Sequence, residues 1–317
     1  MEREDNMILA RFGNKVCSAL KEVMGAEYEV SFQEVVKNNG VCLHGIVITK
    51  KGSNLSPSIY IDELYREFEE GRPFGAVIYD ILCIYKRNAR EINMDMEFFT
   101  QYECVKNRIL YKLIHRENNR KLLREVPYIE WNDLALVFYY IFEDERLGKA
   151  TILIRNSHLD MWKQDISVLY ENAKANMLRL RPEEMLPIRQ VIEEALSKKQ
   201  SQDSDEDLIL PEELQEAMCR ESGTVMYMLS NRDRVFGAAA LLYSKSLKKL
   251  TERLNKNLII LPSSVHEVLL VPDDGVSEKE FFREMVKEVN DTQVEPEERL
   301  SYNVYYYDRI SDEITIL

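Results

Sequence analysis

Four histidines, five cysteines and a surplus of carboxylates are the raw material for chemistry in this chain, and the richest local set lies in Leu261-Pro-Ser-Ser-Val-His-Glu-Val-Leu-Leu-Val-Pro-Asp-Asp-Gly275. His266-Glu267 begins as the zinc-protease signature does. That signature needs a second histidine four residues on, so that both imidazoles face one metal from a helix. Leu270 stands there instead, and the β-branched, proline-bounded surroundings predict a strand, on which His266 and Glu267 point to opposite faces. A zinc protease is excluded. Ser264 and His266 lie two apart and share a face of extended chain. Ser263, Ser264 and His266, with Asp233 as an acid from a distant segment, are therefore the candidate catalytic set of a hydrolase. An oxyanion hole is not visible locally. The competing reading, which we favour, has the serines satisfy turn amides while His266 hydrogen-bonds across a sheet.

One run of charge stands against an acidic background. Lys106, Arg108, Lys112, Arg116, Arg120, Lys121 and Arg124 are opposed between 106 and 124 by Glu117 alone. A strand over 108–115 puts Arg108, Lys112 and Arg116 on one face, and a following helix sets Arg120 and Arg124 one turn apart. Arg108, Lys112, Arg116, Arg120 and Arg124 are thus the candidate ligand-binding set, suited to a phosphate-bearing ligand or an acidic protein. Intramolecular pairing with the surplus carboxylates explains the same residues more simply.

Other chemistries lack their spacing. Asp273-Asp274-Gly275 with Glu278 and Glu280 has neither the alternating carboxylates nor the distal glutamate of a calcium loop. Gly40 and Gly45 have the outer spacing of a phosphate loop, but Ile46-Val47 stand where Lys-Ser/Thr is required. Tyr302-Asn-Val-Tyr-Tyr-Tyr307 reads as edge-strand packing before it reads as a stacking platform for bases. The cysteines (17, 42, 83, 104, 219) are odd in number and without a C-x-x-C pair, which predicts reduced thiols, no disulfide framework and no thiolate zinc site. No metal and no cofactor are expected.

The formal charge of −13 repels nucleic acid and anionic membrane at long range, so neither is an expected partner. Met1-Glu-Arg-Glu-Asp-Asn6 has no signal-peptide character, and the longest apolar run, Leu134–Phe142, is half of what a membrane span needs; a cytoplasmic protein is expected.

The elements that must position these residues can be read from periodicity. Ile8, Leu9, Phe12, Val16, Leu20 and Val23 predict a helix stopped by Gly25. A hairpin over 28–49 turns at Asn38-Asn39-Gly40, a short strand follows at 58–61, and two helices begin at Asp62, as cap, and at Pro73. Next come a strand 108–115, a short helix 119–124, a hairpin 134–142/149–155, and helices 165–180 and 188–198. The C-terminal part predicts a strand 225–229, one helical stretch 235–254, a hairpin 258–261/267–271 and a helix capped at Ser277. Strands 302–307 and 313–317 close the chain. A strand–turn–strand–helix order thus appears three times, near 28–70, 134–180 and 257–290, without residues that align. The class is α+β, in two or three packed units of antiparallel hairpins with helices on one face. The units run 1–106, 107–198 and 210–317, with 199–209 as an acidic linker that has nothing to bury.

Several stretches, Asn38-Asn-Gly-Val-Cys-Leu-His-Gly45, Ser56-Pro-Ser-Ile-Tyr-Ile-Asp62, Ser230-Asn-Arg-Asp-Arg-Val-Phe-Gly-Ala-Ala239, Leu261-Pro-Ser-Ser-Val-His-Glu267 and Glu288-Val-Asn-Asp-Thr-Gln-Val294, resemble an uncharacterised bacterial family. That family is a domain of unknown function common in anaerobic gut bacteria. The resemblance spans nearly the whole chain and implies kinship and an intracellular setting without a reaction. Two functions follow as expectations. One is a non-catalytic binding or regulatory protein that uses the basic 106–124 region or the C-terminal unit. The other is a hydrolase built on the Ser/His pair of 262–267. Convergence of 231–234 and 262–266 on one pocket would separate them.

Overall fold

The computed structural model describes residues 2–53, 56, 58–88, 97–144, 148–199, 226–275 and 279–317. The expected linker 199–209 lies, except for Lys199, outside the described residues, as do Cys219 and Ser277. Among the described residues the architecture is α+β with three antiparallel sheets. It divides between Phe98 and Phe99 into two compact units.

In the first unit, α1 (Glu2–Met24) buries Phe12, Val16, Cys17 and Leu20, the stripe that its 3.6-residue period places on one side. Gly25, at φ +80°, ends it. Strands β1 (Tyr28–Val36) and β2 (Cys42–Lys50) pair from Tyr28↔Lys50 to Val36↔Cys42. They turn through Asn39 and Gly40, both at positive φ, as an Asn-Gly pair allows. A third strand, β3 (Ser58–Tyr60), joins β2, and helices α2 (Asp62–Glu69) and α3 (Phe74–Asn88) complete the core with Val77 and Ile81. Asp62 is not the cap that the sequence predicts. It is the first residue of α2, and its carboxylate accepts from the His44 amide (2.9 Å) and lies 2.8 Å from His44 Nδ1. The buried His44 ring also stacks on Phe32, so these contacts fasten the hairpin to the start of α2.

The described residues of the second unit form two sheets. In one, β6 (Leu134–Asp144) pairs with β4 (Ile109–His115), β5 (Tyr128–Trp131) and β7 (Gly148–Leu153). Helices α4 (Asn156–Trp162) and α5 (Ile166–Leu180) follow, and the Asp165 carboxylate caps α5 by accepting from the Ser167 and Val168 amides. The other sheet contains β8 (Glu183–Pro187), β9 (Tyr227–Asn231), β10 (Leu258–Leu261), β11 (Val268–Pro272), β12 (Tyr305–Asp308) and β13 (Glu313–Ile316) in the order β13-β12-β10-β11-β9-β8. The β10–β11 hairpin is therefore central, and both of its faces are apolar and buried. Ile259, Leu261 and Val271 pack with Ile188 and Val191 of α6 (Ile188–Lys199) and with Phe282 and Val286 of α8 (Lys279–Thr292), while Leu258, Ile260 and Leu270 are fully buried by other groups.

Three further expectations need correction. The middle section is not a unit of its own: residues 183–187 are a strand of the C-terminal sheet, and Asp133, at the β5–β6 turn, binds the hydroxyls of Ser301 (2.6 Å) and Tyr305 (2.5 Å) and the carboxamide of Asn303 (2.9 Å). The helical stretch 235–254 starts only at Gly237, because Phe236 takes a left-handed conformation, and it breaks into a 3-10 helix, Gly237–Leu242, and α7 (Ser246–Leu254) where Tyr243 leaves helical geometry and Glu183 accepts from the amides that start α7. The tyrosine-rich strand begins at Tyr305, so Tyr302 lies outside it and donates to Asp291.

Candidate functional site

The two segments singled out in the sequence do meet. Asn231, at the end of β9, is fully buried, and its side-chain oxygen accepts from the Asp233 and Val235 amides. This closes a tight loop through Arg234 and Phe236, both at positive φ. The Ser230 hydroxyl donates to the His266 carbonyl (2.7 Å), and Phe236 stacks on the His266 ring with centroids 5.6 Å apart. The Ala238 amide also donates to the Val265 carbonyl, so the 230–238 and 262–267 segments form one interlocked body.

Their side chains are not aligned as a triad. Ser264 Oγ accepts from the His266 backbone amide (3.0 Å), a turn interaction that leaves the imidazole aside. His266 Nδ1 accepts from the Phe236 amide (3.2 Å), which makes Nε2 the protonated nitrogen, and Nε2 lies 3.3 Å from Glu298. Asp233 pairs with the buried Arg181 guanidinium rather than with His266. The carbonyl of Ser263 accepts from the Leu300 amide. All four candidates thus belong to one neighbourhood, but their polar atoms serve turns, a loop closure and an ion pair.

The basic set disperses. Arg108 precedes β4 in a 3-10 turn, so it does not share the strand face of Lys112. Arg116 pairs with Glu130 (2.6 Å), Arg120 with Glu117, and Arg124 is exposed on another 3-10 turn. Lys112 reaches the other candidate site: its ammonium lies 4.2 Å from the Phe236 ring centre, a cation–π contact, and Tyr139 meets the same ring edge-on.

Glu267 adds the local electrostatic feature. Burial pushes its carboxyl above the ordinary 4.5, and nearby Glu298 acts in the same direction, while His266, Ser264 and Arg234 oppose it. A carboxyl raised in the folded state destabilises the fold once it is ionised. Glu267→Gln is therefore expected to match the parent in acid, to gain relative stability as pH rises from 4.5 to the raised value, and to hold that gain above it. Urea melts across the pH range check this; an advantage that grew towards acid would refute it.

Periodicity-based reading missed a second feature. An open cleft of about 330 Å³ lies between α7 and the β8–β9 edge, lined by Met185, Pro187, Tyr227, Ser246, Lys249, Leu250 and Arg253. Its signal was present as Ser246, Lys249, Leu250 and Arg253, the i, i+3, i+4, i+7 face of one helix. Its other wall was hidden because the acid-rich β8 has no strand pattern. Leu250 is buried, Lys249 and Arg253 are exposed, and the Arg253 guanidinium stands 5.9 Å from the Tyr227 ring centre. No carboxylate among the described residues pairs with Lys249 or Arg253.

Among the described residues, no helix is long and apolar enough to cross a membrane, and no group of three or more His, Cys, Asp or Glu is placed to hold a metal ion. The chain belongs to the Family of unknown function (DUF5688), whose model matches residues 9–309. No curated protein and no solved structure matches it.

Proposed function

We propose that this protein is a non-catalytic binding or regulatory protein of the cytoplasm, and that its ligand seat is the cleft between α7 and the β8–β9 edge. The observation that carries the reading is the composition of that cleft. Met185, Pro187, Leu250 and the Tyr227 ring offer an apolar floor, while Lys249, Arg253 and the Ser246 hydroxyl offer donors along one helix face. About 330 Å³ is at the small end of pockets that take organic ligands, and the two cations select one bearing an anionic group. The commitments of Ser264 and His266 support the same side. A serine nucleophile needs its hydroxyl on an imidazole nitrogen, and here Nδ1 takes a backbone amide while Nε2 faces Glu298.

Phenyl phosphate, a small aromatic anion, is expected to raise the melting temperature of the full chain, and Lys249→Glu/Arg253→Glu is expected to abolish that shift. A fluorophosphonate probe, which labels activated serines, is expected to leave Ser263 and Ser264 unlabelled. Labelling of either serine, lost in His266→Ala, would replace this reading with the hydrolase.

A further inference from the structure

The cleft sits against a sheet edge that no other strand among the described residues covers, and the hydrogen-bonding register of that edge limits what can enter it. Among the described residues, β8 is the last strand in its sheet and pairs with β9 alone, from Glu183↔Asn231 to Pro187↔Tyr227. The flanking bonds, Arg232 amide to Pro182 carbonyl and Ile188 amide to Met226 carbonyl, extend the same register by one residue at each end. Antiparallel pairs alternate between bonded and non-bonded, so Glu184 and Leu186 turn their backbone groups towards β9. Glu183 and Met185 turn theirs away from it. No partner among the described residues takes the outward amide and carbonyl of either residue. Pro187, which has no amide, closes the edge at its far end, a common device for limiting unspecific pairing.

Met185 joins the two features, since its side chain lines the cleft while its backbone faces outward. Resting on the cleft reading above, we infer that the ligand is an extended acidic segment of another protein, which adds to β8 as a strand. Two arguments select this occupant. The outward groups of Glu183 and Met185 match the backbone of an extended chain, which a small anion cannot use. Residues two apart on an added strand share the face on which Met185 points, where Lys249 and Arg253 wait, so carboxylates at alternate positions meet cations. Backbone pairing supplies affinity and the charge pattern supplies selection.

The test uses fluorescence anisotropy on the full chain with a labelled hexapeptide, Glu-Val-Glu-Val-Glu-Val. Three comparisons are each expected to weaken binding about tenfold or more. They are the same peptide N-methylated at alternate amides, the Lys-Val repeat, and the original peptide on Lys249→Glu/Arg253→Glu. Met185→Pro, which removes an outward amide and leaves the β8–β9 ladder intact, is expected to do the same while keeping the parental circular dichroism. Equal binding of the N-methylated peptide, or no binding of the parent peptide, overturns strand addition. A response to phenyl phosphate without peptide binding leaves the cleft reading and removes this one; loss of both removes both. Sedimentation showing a dimer that Met185→Pro dissociates would assign the edge to a second copy of the chain and likewise overturn the inference.

Discussion

Replacing Asp133 by alanine is expected to destabilise the second unit by about 3–5 kcal/mol, among the largest losses available to any single side chain outside the apolar core. The carboxylate is mostly buried and accepts from Ser301 Oγ at 2.6 Å, Asn303 Nδ2 at 2.9 Å and Tyr305 Oη at 2.5 Å. Charge-assisted bonds of this length are the stronger kind, and alanine replaces none of them. The greater part of the cost lies in what remains. Tyr305 is fully buried and Ser301 nearly so, so both hydroxyls would lose their acceptor where water cannot reach. Burial raises the Tyr305 phenol above its ordinary range, with Asp133 adding to the effect, so the phenol remains a donor throughout the physiological range. A double-mutant cycle with Tyr305→Phe separates the pair from the rest: removing both partners should cost less than the sum of the single losses. Denaturant melts measure all three variants. Additive losses would mean that Tyr305 does not depend on this carboxylate.

Asp133 also explains why the unit boundaries were hard to read. It binds Ser301, Asn303 and Tyr305 from about 170 residues away along the chain, and no local pattern encodes such a pairing. Elements whose own residues satisfy a periodicity were legible: α1 from its stripe, the 28–50 hairpin from its alternation and Asn-Gly turn, and β10–β11 from two apolar faces. Those made by tertiary partners were not. Glu183-Glu-Met-Leu-Pro187 is acid-rich and ends in proline, which are the marks of an edge strand and also of a loop. Asp62 has the residue type of a helix cap and spends its carboxylate on His44 instead. The candidate site divides in the same way. The sequence singled out 231–234 and 262–266 as segments whose convergence would discriminate between functions, but the partners that decide what their side chains do, Arg181, Glu298 and the Phe236 amide, come from distant positions or from the backbone.

Gly237→Ala is expected to cost about 3 kcal/mol, at the upper end of overpacking losses, although it adds one methyl group. A Cβ on Gly237 would stand inside contact distance of Ser230 Oγ and the His266 carbonyl oxygen, and 2.8 Å from the Asn231 amide nitrogen. None of these is the free end of a flexible side chain. The Ser230 hydroxyl is held on the His266 carbonyl, and Asn231 is fully buried with its carboxamide closing the loop that follows. The methyl group can therefore be accommodated only if the 230–238 loop moves away from the 262–267 segment. That movement would break the Ser230–His266 bond and the Phe236–His266 stack together. Ser230→Ala, which loses the bond but adds no volume, should cost about 1 kcal/mol. The double variant Ser230→Ala/Gly237→Ala should remain well below the parent, because the His266 carbonyl still blocks the added carbon. If Gly237→Ala melts within experimental error of the parent, the close packing of these two segments is not what holds His266 in place.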